Sequence, residues 1–198
     1  MMRSQHYQTQ EIIERELDHS ERYLWSGRPK QGIFLRGSDV IMIPFSLLWG
    51  GFAIFWEYMA LGVTPQAQNA PAGIAIVFPL FGLPFVLVGL YMIFGRFIVD
   101  ARLRSKTYYG VSDKRVIIVS GLFKQTVKSL DIKSLDNISL VEKANGAGSI
   151  IFGQAAPAGA GYGMGGFPGR SQYTTPQFEL IENARNVYSE IQSAREKD

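Results

Sequence analysis

The chain has 198 residues, no cysteine, and two histidines, His6 and His19. Without a thiol there is no disulfide framework, no cysteine nucleophile and no thiolate metal site. Both histidines stand in the polar N-terminal stretch, which leaves little for a histidine metal centre and no Ser-His-Asp arrangement. No Walker A pattern occurs anywhere. Charge is also missing over a long interval: between residues 40 and 95 Glu57 is the single charged side chain. A mean hydropathy of +0.03 therefore averages two unlike populations.

The uncharged interval falls into two runs. Val40–Trp56 is followed, after Glu57, by Tyr58–Gly95, which is broken by the polar, proline-containing stretch Gly62–Gly73. A helix needs about 20 apolar residues to cross a hydrocarbon core about 30 Å thick. The pattern predicts a transmembrane hairpin over 39–96, with helices at about 39–61 and 74–95. A signal peptide does not fit, because a polar, charge-rich stretch precedes the first run. Two buried core helices of this length would need a larger protein around them. Lys and Arg number six in residues 1–38, none in 62–73 and fourteen in 96–198. By the positive-inside bias both termini are cytoplasmic. Glu57 stands near the outer end of the first helix, where water can solvate it. No ionisable group marks the middle of the membrane, which argues against transport by this chain alone.

Residues 1–38 form a cytoplasmic juxtamembrane segment in this reading. Gln8–Trp25 is expected to be a charged helix with Ile12, Ile13, Leu17 and Leu24 as a thin apolar stripe. It is either solvated, or Trp25, Arg28, Lys30 and Arg36 sit in the headgroup layer or against the C-terminal domain. Arg96, Arg102, Arg104 and Lys106 follow the second helix. Each could contribute about 1 kcal/mol near an anionic leaflet, or simply fix topology. Residues 97–198 carry a net charge of only +3, which argues against a nucleic-acid partner.

Residues 97–198 read as a small β domain. Lys106–Ser112 and Arg115–Val119 are predicted strands joined at Asp113-Lys114. Leu122–Leu130 alternates, with Lys124, Thr126 and Lys128 on one face and Phe123, Gln125 and Val127 on the other. Asn137–Glu142 and Ser149–Phe152 complete a meander around an Asn145-Gly146 turn. Thr175-Pro176 predicts an N-cap and first turn of a helix over 176–195. Phe178, Ile181, Ala184, Tyr188, Ile191 and Ala194 form its apolar face, which is expected to cover the sheet. The glycine-rich stretch 155–170 contains G-x-G-x-x-G at Gly161, Gly163 and Gly166. It lacks the strand before and the helix directly after that a dinucleotide site requires, so it reads as a loop. No cofactor or metal is expected, and the carboxylates Asp113, Asp131, Asp136 and Glu142 are scattered rather than paired.

The run Tyr109-Gly-Val-Ser-Asp-Lys-Arg115, the buried Val-Ile-Ile-Val after it and Ser120-Gly121-Leu-Phe123 resemble the bacterial pleckstrin-homology-like (PH-like) domain of small membrane proteins. Leu130–Ile138, Gly146–Gly153 and Trp25-Ser-Gly-Arg-Pro29 extend the resemblance over nearly the whole chain. Ser112 stands where threonine is commoner. The resemblance implies an α+β membrane protein of the bacterial inner membrane. In it a two-helix hairpin precedes a seven-stranded antiparallel barrel or sandwich capped by a C-terminal helix. Tyr109, Asp113, Arg115 and Gly121 are its structural motif residues, and no activity is implied. The expected function is a non-enzymatic, membrane-anchored interaction module. Its partners would be protein, its own copy or anionic lipid, met through Lys124, Thr126 and Lys128. The alternative is an accessory subunit of a membrane transporter or envelope-stress complex, acting through the hairpin, with Ser46-x-x-x-Gly50 as a small-xxx-small spacing.

Overall fold

The structure is a computed structural model that describes residues 2–35, 39–63, 72–153 and 175–196. The glycine-rich stretch 155–170 and Arg36 lie outside the described residues. The chain divides into two compact units, Met1–Gly32 with Asp100–Asp198, and Ile33–Val99.

The first unit is built on two antiparallel sheets. Strands β1 (Tyr23–Gly27), β2 (Tyr108–Ser112), β3 (Arg115–Ser120) and β4 (Thr126–Asp131) lie side by side in that order. Strands β5 (Ile138–Glu142), β6 (Gly148–Phe152) and β7 (Gln177–Ile181) form the second sheet. Seven strands are present, but the two sheets do not close into a barrel among the described residues.

Strand period decides what each face buries. On β3, Val116 and Ile118 join Tyr109, Val111, Ile150, Phe178, Ile181 and Ile191 in the main core. Ile117 and Val119 point the other way and meet Ile13 of helix α1 (Met2–Glu14). Both faces of β3 are therefore covered, which is why its apolar run is continuous rather than alternating. The C-terminal helix α5 (Ala184–Glu196) presents Ala184, Val187, Ile191 and Ala194 to the main core. Partial burial raises the Glu190 carboxyl above its ordinary pKa.

Two expectations are corrected here. The predicted helix over 176–195 begins eight residues late, because Gln177–Ile181 is strand β7, paired with β6. Phe178 and Ile181 both face the core because an extra residue on β7 resets the strand's alternation between them, and their spacing from Ala184 only imitates a helix. A register shift on β6 and a positive φ of 49° at Leu180 mark a bulge there. The helix predicted over Gln8–Trp25 ends at Glu14, and Tyr23–Gly27 pairs with β2 instead. Trp25 packs on Phe178, ring centroids 5.7 Å apart. The N-terminal segment is thus part of the β domain.

The second unit is a helical hairpin. Helix α2 (Asp39–Val63) packs against α3 (Ala72–Leu90), which continues through a π turn, Tyr91–Gly95, into α4 (Arg96–Ser105), whose residues from Asp100 on belong to the first unit. Stretches 39–62 and 80–105 are long and apolar enough to cross a membrane. Small residues Ser46, Gly50, Ala53 and Ala60 face inward on α2. A Cβ on Gly89 would lie 2.9 Å from Gly50 Cα, so this glycine pair marks a close approach of the two helices. Outward lie Phe45, Leu48, Phe52, Phe55 and Leu87, all exposed. Asp39 and Arg96 pair at 3.0 Å at one end of the hairpin. Glu57, near the outer end of α2, is half-buried: its Oε2 lies in the notch left by Gly82, without a hydrogen-bond partner among the described residues.

Candidate functional site

The motif residues have definite jobs. Tyr109 stacks on Phe178 at 4.6 Å, and its hydroxyl accepts from the Glu179 N–H at 3.1 Å, tying β2 to β7. The Arg22 N–H donates to Asp113 Oδ1 at 2.9 Å, and the Asp113 N–H donates to Arg22 O at 3.1 Å. Ser112 Oγ accepts from the Lys114 and Arg115 N–H groups and closes the β2–β3 turn. Arg115 reaches Glu21 at 2.9 Å and donates to Glu16 O at 2.8 Å. These contacts fasten residues 16–22 to the β2–β3 turn. No motif reading of the sequence revealed that, because the partners lie more than ninety residues away.

The opposite end of the first sheet carries the candidate surface. Antiparallel order brings Gly27, Tyr109 and Tyr108, Val119, and Ser120 with Thr126 to that end. Lys124 lies in the β3–β4 loop, whereas Thr126 and Lys128 are on β4. The expected alternation holds within β4: Lys128 pairs with Ile118 and Leu130 with Val116, so both lie on the core side of an edge strand. Lys128 is half-buried, and Lys124 and Thr126 are exposed. Gly121 shapes the loop. Its φ is +150°, and a Cβ there would lie 1.9 Å from Lys124 O.

The basic residues do not form one patch. Arg104 is turned into the domain, buried, with Asp100 at 3.1 Å and Glu179 at 3.4 Å. It is committed to those carboxylates rather than open to a headgroup. Arg28 lies over the Tyr108 ring at 4.6 Å and donates to Ser105 O. Lys30 is exposed, beside an open polar depression that also touches Asn145, Glu182 and Asn183. Arg96 belongs to the hairpin, paired with Asp39. Arg102 and Lys106 are exposed, and Lys106 Nζ donates to Leu122 O at 3.0 Å. No group of acidic or histidine side chains suited to a metal occurs among the described residues.

Two antiparallel sheets and a core-covering C-terminal helix make up the architecture of a PH-like domain. The family model described as "Bacterial PH domain" matches residues 67–195, and the chain belongs to that family. PH-like domains are in general non-catalytic and bind lipids or proteins. The match begins inside the hairpin, so α1 and β1 lie outside it, although both complete the domain. No curated protein and no solved structure matches the chain.

Proposed function

We propose that the chain is a membrane-anchored, non-enzymatic PH-like module of the bacterial inner membrane. Its hairpin spans the bilayer, both termini are cytoplasmic, and the β domain offers the Lys124–Lys128 edge to a protein partner or to the anionic leaflet. The observation that carries this is the exposed belt of Phe45, Leu48, Phe52, Phe55 and Leu87 around a hairpin whose inner face is already filled. In water such a belt would be a large apolar patch; in a bilayer it is ordinary helix surface.

The accessory-subunit reading loses its main support. Ser46 and Gly50 face into the hairpin, where Gly50 meets Gly89, so this small-residue spacing serves the chain's own helices.

A membrane preparation tests the proposal. The chain should resist alkaline carbonate extraction. Because it has no cysteine, Thr64→Cys should react with an impermeant maleimide from outside the cell, and Ser134→Cys only after lysis. Cross-linked partners or lipid contacts should be lost in the Lys124→Glu, Lys128→Glu double variant. Carbonate-extractable protein, or labelling from the opposite side, would overturn the anchoring and its orientation. Unchanged cross-links would overturn the edge assignment.

A further inference from the structure

We infer, resting on the anchored reading above, that the β3–β4 loop is a wedge for an anionic membrane surface, with Phe123 entering the leaflet and Lys124 and Lys106 meeting its headgroups. Topology comes first. The chain leaves the domain after β1 for residues 33–99 and returns before β2, and register places those two strand ends at the same end of the sheet as the β3–β4 loop. If the hairpin is in the bilayer, the loop belongs to the end of the domain that the bilayer-bound chain leaves and re-enters.

The loop itself is the second observation. Phe123 is 103% exposed, which leaves its ring wholly in water. This is a held conformation. Gly121 makes the reversal that no side chain would tolerate, and Lys106 Nζ grips Leu122 O at 3.0 Å. The third observation is charge. From Ala101 to Leu130 the single acidic residue is Asp113, and it sits at the opposite end of the sheet, bonded to Arg22. An apolar tip flanked by exposed lysines, in a stretch of chain whose single carboxylate lies at the other end of the sheet, matches an anionic interface in both of its layers.

The absence of cysteine makes the test direct. Phe123→Cys and, as a control at the far end of β4, Ser134→Cys are labelled with an environment-sensitive fluorophore in the full chain. Each is reconstituted in nanodiscs of phosphatidylcholine alone or with phosphatidylglycerol, containing a nitroxide-lipid quencher. The expected result is quenching at position 123 in the phosphatidylglycerol discs, none at position 134, and engagement about fivefold weaker once Lys124→Ala is added. A label at 123 that stays in water, or that is quenched equally in neutral discs, overturns the inference. So does a label that changes environment only in native membranes, which would indicate a protein occupant. Alkaline flotation of the same samples separates the two claims: a chain that floats with an unquenched label refutes the wedge alone, and one that does not float refutes the anchoring as well.

Discussion

At Gly110 the missing side chain is what allows α1 to lie on the sheet. A Cβ there would come within 2.3 Å of Ile13 Cγ2 and 3.1 Å of its Cδ1, and Ile13 is fully buried. A stiff β-branched side chain held between helix and sheet has little room to yield. Gly110→Ala should therefore destabilise the domain by about 1–3 kcal/mol. Pairing it with Ile13→Ala, which removes Cγ2 and the rest of the side chain beyond Cβ from that spot, should cost less than the sum of the two single changes. Urea unfolding of the full chain in detergent, followed by near-ultraviolet circular dichroism, measures this; additive costs would show that the two residues do not touch. Arg104 and Arg115 illustrate a different point at the same scale. Arg104 looked like surface charge in a basic run and Arg115 like a structural residue of a strand motif, and each binds carboxylates or carbonyls contributed by distant segments. Charge type is legible from sequence, whereas the partner that consumes the charge is not.

The hairpin supplies a comparison between adjacent residues. Gly50 approaches Gly89, whereas a Cβ added to Gly51 would meet nothing within 4 Å. Gly89→Leu should force the helices apart and lower resistance to sodium dodecyl sulfate unfolding by about 1–3 kcal/mol. Gly51→Leu should leave it unchanged. Equal effects of the two would mean that the helices do not cross at this point. Elements whose information is local were the legible ones. The apolar runs of α2 and α3, and strands β2 to β6 with their Asn145-Gly146 turn, follow from residue patterns within ten or twenty positions. Strands β1 and β7 were not legible, because each is defined by a partner strand rather than by its own alternation. Tyr23–Gly27 pairs with a strand about eighty residues later, and Gln177–Ile181 carries a bulge that spoils its period. At the candidate surface, Lys128 and Thr126 could be placed by alternation. Phe123 could not, because the strand starts at Thr126 and leaves it in a loop.

For the molecule as a whole, the consequence is a domain that is discontinuous in sequence. Residues 33–99 interrupt it between β1 and β2, and the pieces on either side need each other. Strand β1 covers the edge of β2, α1 buries Ile117 and Val119, and Arg115 holds residues 16–21. A fragment beginning at Asp100 would expose that edge and the second face of β3, which invites association rather than folding. The two ends of the interruption are tied within the domain itself, where Gln31 Nε2 donates to Arg104 O at 3.3 Å and Arg28 donates to Ser105 O. A short Gly/Ser linker in place of residues 33–99 should therefore give a protein that stays in solution, melts cooperatively and retains the Trp25–Phe178 contact. The fragment 100–198 alone should aggregate. Size-exclusion chromatography and thermal melts of the two proteins decide it. If the fragment folds as well as the linked form, α1 and β1 are appendages, and the family match alone delimits the domain. If only the linked form folds, the domain is closed by residues that the match omits, and the apolar hairpin is an insertion within a complete fold.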